Sequence, residues 1–409
     1  MIYFDNAATS YYRPPCVKEA VAEAIDTFGN PSRGAYGASL SADRCLFQTR
    51  FLLSQMFGAD GPDCVAFTMN ATQALNEAIS GQGLKHGDHL IVSLQEHNSV
   101  LRPAYRLREQ GVIVHFSGLT EDGIFDLNDF RGILQKIREG GLKPGQRIVT
   151  ALSHGSNVTG SVIGLRKVSS LCREYGSLLI LDAAQTAGII PIDLKKDGID
   201  ILCMSGHKAL MGPQGTGAII VRRGVSLAPL LTGGSGIRTF LETMPEDMPA
   251  RLEAGTQNAH SIAGLKAALM FGEGKRDEWR KMELLLRKQL LCGIEKINRD
   301  AGYEAVHVYG RPYENQVQGI DAAGGAQKDT SSLPTVAFNV KDLEAGDVAD
   351  RLWRDRQIAV RAGGHCAPLI HKFFGTERRG IVRTSFSHYN TKEQVDVLIE
   401  ELRSIVQEV

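Results

Sequence analysis

The sequence predicts an α/β protein with a large domain built on a mostly parallel sheet and a smaller α+β domain. Three observations carry this. Short apolar runs without polar alternation recur from about residue 63 to residue 221, which suits strands covered on both faces. Helical patterns lie between them, as crossovers between parallel strands require. Near residue 260 the alternation stops and long amphipathic patterns begin.

Taken in order, the strand-like runs are Cys64–Phe67, His89–Ser93, Gly111–Val114, Ile148–Leu152, Leu178–Leu181, Ile199–Met204 and Gly217–Val221. Thr72–Ile79 and Val100–Gln110 have helical spacing. Ser261–Phe271 and Arg276–Asp300 are expected as long amphipathic helices, the second with few breakers. Thr335–Val340 and Ile381–Ser385 are expected as strands of the smaller domain. Between them, Gly310–Pro334 is rich in Gly, Ala, Ser and Gln and reads as a surface loop. The expected division is 15–260 for the large domain, with 1–14 and 261–409 forming the small one.

A chain of 409 residues suits two domains better than one core. Lys plus Arg (46) equals Asp plus Glu (46), which argues against nucleic acid or an anionic membrane as the main partner. No apolar run approaches the ~20 residues that span a bilayer. The N-terminus lacks the basic and apolar regions of a secretion signal. Seven cysteines without C-x-x-C pairs read as reduced thiols of a cytoplasmic protein.

Ligands of open α/β sheets gather at the carboxyl ends of the strands. After Leu178–Leu181 stands Asp182, either a cap or the partner of a cation held in the cleft. After Ile199–Met204 stand Ser205, Gly206, His207 and Lys208, in a glycine-rich turn. Lys208 is either an exposed loop lysine or a desolvated amine able to form a Schiff base. After the first run, Asn70-Ala71-Thr72 opens a helix, which offers ordinary capping or an anion site. His97 follows the second run and is either simply hydrogen-bonded or stacked on a planar ring. Together these describe one ligand: a ring cation needing a carboxylate, a phosphate needing a helix N-terminus and an aldehyde needing a lysine. Pyridoxal phosphate has all three. Cys366, in RAGGHCAPLIH, has three readings of its own: nucleophile, metal ligand or small apolar filler. The spacing of His365, Cys366 and His371 matches no common zinc site, so no metal is expected.

The motifs FDNAATS, TMNATQALN, EHNSVLRP, SHGSNVTG, LDAAQTAG, MSGHKALMGPQGTG, RLEAGTQN, RAGGHCAP and VRTSFSHYNT occur in that order along nearly the whole chain. With them the sequence resembles the class V aminotransferase family of pyridoxal-phosphate enzymes. Within that family it looks like the cysteine desulfurase and selenocysteine lyase branch, and its segment around Cys366 is similar to the group with a compact cysteine loop. The phosphate turn departs from the Gly-Thr-Thr frequent in relatives, and one hydroxyl is missing there.

The resemblance implies the PLP-dependent transferase fold type I, with a seven-stranded sheet in the large domain. It implies Lys208 as the Schiff-base lysine, Asp182 facing the pyridine nitrogen, Gln185 facing the phenolic oxygen and His97 stacked on the ring. Ala71, Thr72, Ser205 and His207 would hold the phosphate. Thr256 would reach the phosphate of a neighbouring subunit, hence a homodimer. Asn157 and Arg383, with Arg361, would bind the substrate carboxylate, which suits the planar fork of arginine. Cys366, on a flexible loop with Arg361 and His365 lowering its pKa, would take sulfur from L-cysteine as a persulfide and leave L-alanine. A sulfur-acceptor protein or small thiol would then collect it. The alternatives are a selenocysteine lyase acting on L-selenocysteine, another class V reaction such as transamination, and a weakly catalytic scaffold.

Overall fold

The structure is a computed structural model that describes residues 1–31, 34–310 and 332–408. Most of the loop expected over Gly310–Pro334, residues 311–331, lies outside the described residues.

The chain opens with β1 (Ile2–Tyr3), α1 (Pro15–Thr27) and α2 (Gly37–Met56). There follow β2 (Val65–Thr68), α3 (Ala71–Ser80), β3 (His89–Ser93), α4 (Asn98–Glu109), β4 (Ile113–Ser117) and α5 (Leu127–Glu139). Next come β5 (Ile148–Ser153), α6 (Leu165–Tyr175), β6 (Ser177–Asp182), the single-turn α7 (Leu194–Asp197), β7 (Ile201–Ser205) and β8 (Gly217–Val221). The remainder is α8 (Ala259–Phe271), α9 (Arg276–Ala301), β9 (Val306–Tyr309), β10 (Thr335–Val340), α10 (Ala345–Arg356), β11 (Ile358–Ala359), β12 (Arg361–Gly363), α11 (Pro368–Phe374), β13 (Ile381–Ser385) and α12 (Lys392–Glu408).

The large sheet has seven strands in the order β2-β8-β7-β6-β5-β3-β4. Five of them, β4-β3-β5-β6-β7, run parallel. β8 is antiparallel to both its neighbours. The return from β7 to β8 explains this: it holds no helix and is too short for a crossover. The fourth strand begins at Ile113, not at Gly111, because Gly111 sits at φ 88° in the turn that leaves α4. Both faces of the sheet are covered, as the unbroken apolar runs required. One core gathers Leu152, Leu181 and Leu202; the other gathers Val92, Ala151, Ile180 and Ile201.

A further core belongs to the small domain. Leu286, Leu290, Ile294 and Ile297 form one stripe of α9 and meet Phe338 of β10 and Leu398, Leu402 and Ile405 of α12. Each side chain so buried contributes roughly 1.5–3 kcal/mol. Phe4 joins this core. Helix α8 does not: Ala259, Ile262, Leu265 and Leu269 pack into the large core. The change between the cores therefore falls between α8 and α9, not at residue 260. The four-stranded sheet β12-β13-β10-β9 is antiparallel throughout.

Parallel pairing brings the carboxyl ends of the strands to one edge. Ser153 stands opposite Asp182, and Asp182 opposite Cys203. Ser93 and Ser205 end β3 and β7 at the same edge.

Candidate active site

Asp182 is the last residue of β6, and only 6% of it is exposed. It accepts a hydrogen bond from the Ala184 N–H at 2.8 Å, and Ser153 Oγ lies 3.4 Å away. Burial raises its pKa, and the nearby Lys208 works in the opposite direction. A cation against Asp182 would remove that penalty.

Lys208 follows β7 in the turn that precedes Gly212. Ser10 Oγ donates to its carbonyl at 2.8 Å, and Met211 N–H donates to the same oxygen. Burial pushes the amine down to about 8; Asp182 opposes this, and Arg383 and Arg361 reinforce it. A substantial neutral fraction at physiological pH suits a nucleophilic amine.

Helix α3 starts at Ala71, where its N–H groups and dipole converge. Asn70 caps it by accepting from Gln73 N–H. The Ala71 N–H donates to Ser205 Oγ at 3.1 Å, which joins the two elements expected to hold a phosphate. Thr72 Oγ1 lies 2.8 Å from Ser99 Oγ, which lies 2.8 Å from His97 Nδ1. Ser99 N–H also donates to His97 Nδ1, at 3.0 Å. Nδ1 is therefore the acceptor, and the neutral ring carries its proton on Nε2. Burial, followed by the charges of Lys208 and Arg102, holds His97 down near 4, so it is neutral at pH 7. His207 Nδ1 lies 3.0 Å from Thr9 Oγ1. The Gln185 amide donates to the Ala7 carbonyl at 3.1 Å.

On the small-domain side, Arg361 and Arg383 are cross-strand neighbours. Arg361 is exposed and Arg383 is buried. Arg383 Nη2 donates to Asp5 Oδ1 at 2.7 Å and Nη1 to the Asn157 carbonyl at 2.8 Å; its Nε is buried without a partner. A buried N–H left free on an otherwise anchored guanidinium is available to an acceptor from outside the chain. The Asn157 side chain donates to the His365 carbonyl at 2.8 Å.

Cys366 is exposed, which sets aside the filler reading. It does not lie on a loose loop. Asn98 N–H, one residue after His97, donates to the Cys366 carbonyl at 2.7 Å, and α11 begins two residues later. Burial pushes His365 down to about 3, so the neutral ring supplies no positive charge to the thiol, contrary to expectation. Among the described residues no three His, Cys, Asp or Glu side chains group as a metal site.

Of the expected residues, Ala71, Thr72, His97, Asp182, Ser205 and Lys208 converge at the strand ends. Arg361, Arg383 and Cys366 come from the small-domain part of the chain, and Asn157, which follows β5, bonds to Arg383 and to the His365 carbonyl. Thr256 is exposed. The donor set fits pyridoxal phosphate, with a buried carboxylate, a low-pKa amine and a helix N-terminus each supplied once. Sequence reasoning missed Asp5, Ser99, Ser153 and Glu96. Glu96 is wholly buried and accepts from Ser93 Oγ, Ser153 Oγ and Ser153 N–H at 2.5, 2.6 and 2.8 Å. Its place between a strand end and His97 was the available signal.

The Aminotransferase class-V family model matches residues 2–398. A probable cysteine desulfurase of Methanothermobacter thermautotrophicus is 30% identical over 409 residues, covering 99% of this chain and 94% of that protein. Probable cysteine desulfurase 2 of Mycobacterium leprae is 32% identical over 416 residues, covering 98% and 90%. The apo structure of the cysteine desulfurase of Thermococcus onnurineus superposes with a TM-score of 0.87 at 30% identity, over 100% of this chain and 95% of that one. Motifs, fold and site thus agree, and the chain belongs to the class V aminotransferase family.

Proposed function

We propose that this protein is a pyridoxal-phosphate-dependent cysteine desulfurase. It converts L-cysteine to L-alanine and keeps the sulfur as a persulfide on Cys366. The observation that carries the reading is the position of that thiol. It is exposed on a turn fixed to the residue after His97. The full-length relatives named as cysteine desulfurases support the substrate.

Bound in this cleft, the cofactor would act as an electron sink for negative charge developing beside the substrate carboxylate. Asp182 would hold the ring cation. Ala71, Thr72, Ser205 and His207 would hold the phosphate, Gln185 the phenolic oxygen and His97 one ring face. Arg383, Arg361 and Asn157 orient the substrate carboxylate. Lys208, as the neutral amine, takes the proton from the substrate α-carbon. The Cys366 thiolate attacks the substrate sulfur: a sulfur–sulfur bond forms as the carbon–sulfur bond breaks, and the carbon regains a proton. Thiol plus cysteine gives persulfide plus alanine, so atoms and electrons balance without an external oxidant.

A homodimer is part of the proposal. It is supported by exposed Thr256, by fully exposed Phe240 and by 63%-exposed Met69 beside the phosphate helix. A sulfur-acceptor protein or small thiol would discharge the persulfide at the exposed turn. Seven unpaired cysteines support a reducing, cytoplasmic setting. No helix among the described residues is long and apolar enough to cross a membrane.

The test is to incubate the holo-protein with L-cysteine or L-selenocysteine and measure alanine, sulfide and selenide. Wild type should form alanine and sulfide in equal amounts under reductant, and Cys366→Ala should form neither from cysteine. Intact cysteine turnover in that variant rules out the persulfide step; turnover of selenocysteine alone in the wild type makes the protein a selenocysteine lyase. A keto acid product points to transamination.

A further inference from the structure

The turn that carries Cys366 is built against local preference. His365 and Cys366 are consecutive non-glycine residues at φ 47° and 55°. Such a pair is strained and persists only where its surroundings over-determine it. Four hydrogen bonds do so. Ala367 N–H closes the turn on the Gly364 carbonyl at 3.0 Å. Asn98 N–H holds the Cys366 carbonyl at 2.7 Å. His365 Nε2 donates to the Ile381 carbonyl at 3.0 Å, anchoring the turn to the strand that carries Arg383. Asn157 Nδ2 donates to the His365 carbonyl at 2.8 Å.

The last bond differs from the others because it comes from a side-chain amide with two N–H groups. One is spent on the His365 carbonyl. The backbone carbonyl of the same Asn157 accepts from Arg383 Nη1. Asn157 thus touches the carboxylate-binding arginine with its main chain and the cysteine turn with its side chain.

We propose that Asn157 is a positioning residue for Cys366, clamping the strained turn and tightening that clamp when a carboxylate occupies the site beside Arg383. This rests on the desulfurase reading for the identity of the carboxylate. A carboxylate accepting the second amide N–H fixes the amide plane and so holds the first bond in its geometry. The thiol is then held most firmly when a substrate is present to receive its attack. Orientation of a nucleophile in advance lowers the entropic part of a barrier.

The experiment is amide hydrogen exchange on the holo-protein, read at the peptides containing Ala367 and Asn98, with and without L-alanine. L-alanine carries the carboxylate and amine of the substrate without its sulfur. The cofactor absorbance is recorded in parallel. In the wild type, L-alanine should perturb the absorbance and slow exchange at both amides. Asn157→Ala and Asn157→Asp should raise exchange there about tenfold, the factor for one lost buried hydrogen bond. In both variants the L-alanine effect on exchange should vanish. Asn157→Asp keeps the shape of the side chain but has no N–H, so it separates the hydrogen bond from packing. An L-alanine-dependent slowing that persists in either variant overturns the proposal, as does exchange in both variants equal to wild type. If L-alanine and L-cysteine leave the wild-type absorbance unchanged, the desulfurase reading fails instead; accelerated exchange in the variants without ligand still supports the clamp.

Discussion

Asp5 Oδ1 accepts a hydrogen bond from Arg383 Nη2 at 2.7 Å, joining two residues at opposite ends of the chain. Both sides of the pair are shielded, with side-chain exposures of 19% and 3%. The same N-terminal arm reaches Gln185 through the Ala7 carbonyl and Lys208 through Ser10. It is a strap across the cleft, and Asp5 is its charged contact.

Asp5→Ala leaves Arg383 buried beside Arg361 without its counter-charge. The expected loss of stability is about 3 kcal/mol, the scale for breaking a shielded ion pair from one side. Urea denaturation measures it. The Michaelis constant for cysteine should rise at least tenfold as Arg383 loses its orientation. A loss under about 0.5 kcal/mol, the scale of an exposed pair, would show that Asp5 carries no structural charge.

Lys208 gives a pH prediction. Burial lowers its amine to about 8, so the nucleophilic form appears at lower pH than in an ordinary lysine. The rate at which apo-protein takes up pyridoxal phosphate into a borohydride-reducible link should rise with pH and level off just above 8. Asp182 favours the charged amine, so Asp182→Asn should move the midpoint lower still. A profile that climbs without a plateau towards pH 10 would mean a solvated amine.

How much of this was legible follows from range along the chain. Asp182, Ser205 and Lys208 were visible because an apolar run shows where a buried strand ends, and parallel strands end at one edge. The antiparallel β8 was not, since an apolar run carries no direction. Helix α8 was placed with the small domain because Ser261–Phe271 read as amphipathic, yet it packs against α1 and α2 and into the large core. The Asp5–Arg383 pair and the Asn98–Cys366 bond were invisible for another reason. The first needs a tertiary contact between the chain ends, and the second uses backbone atoms that every residue has. The glycines of RAGGHCAP suggested looseness, whereas bonds from elsewhere hold the turn.

Ser99 links the phosphate helix to His97 by contacts on both sides of one hydroxyl. Ser99→Ala keeps the N–H bond to Nδ1 but breaks the tie to Thr72. The expected effect is a three- to tenfold loss of cofactor affinity, equivalent to about 0.5–1.5 kcal/mol for one hydrogen bond. Equilibrium dialysis of pyridoxal phosphate against both proteins checks it. Unchanged affinity would place Thr72 and His97 in independent roles.

Glu96 supplies the last test. Burial raises its carboxyl to about 7, with the negative charge of Asp182 adding to the effect and the two serine hydroxyls opposing it. A folded-state value above the unfolded one contributes stability that is full below about 4.5 and is lost as pH rises through 7. Gln cannot ionise and carries no such loss. Relative to wild type, the apo-protein of Glu96→Gln should therefore gain stability between pH 5 and pH 8, on the order of 2–3 kcal/mol. Urea unfolding at the two pH values measures the difference, which cancels whatever the substitution costs in packing. A difference that does not change with pH would mean that Glu96 is ionised throughout, its charge carried by the hydrogen bonds from Ser93 and Ser153.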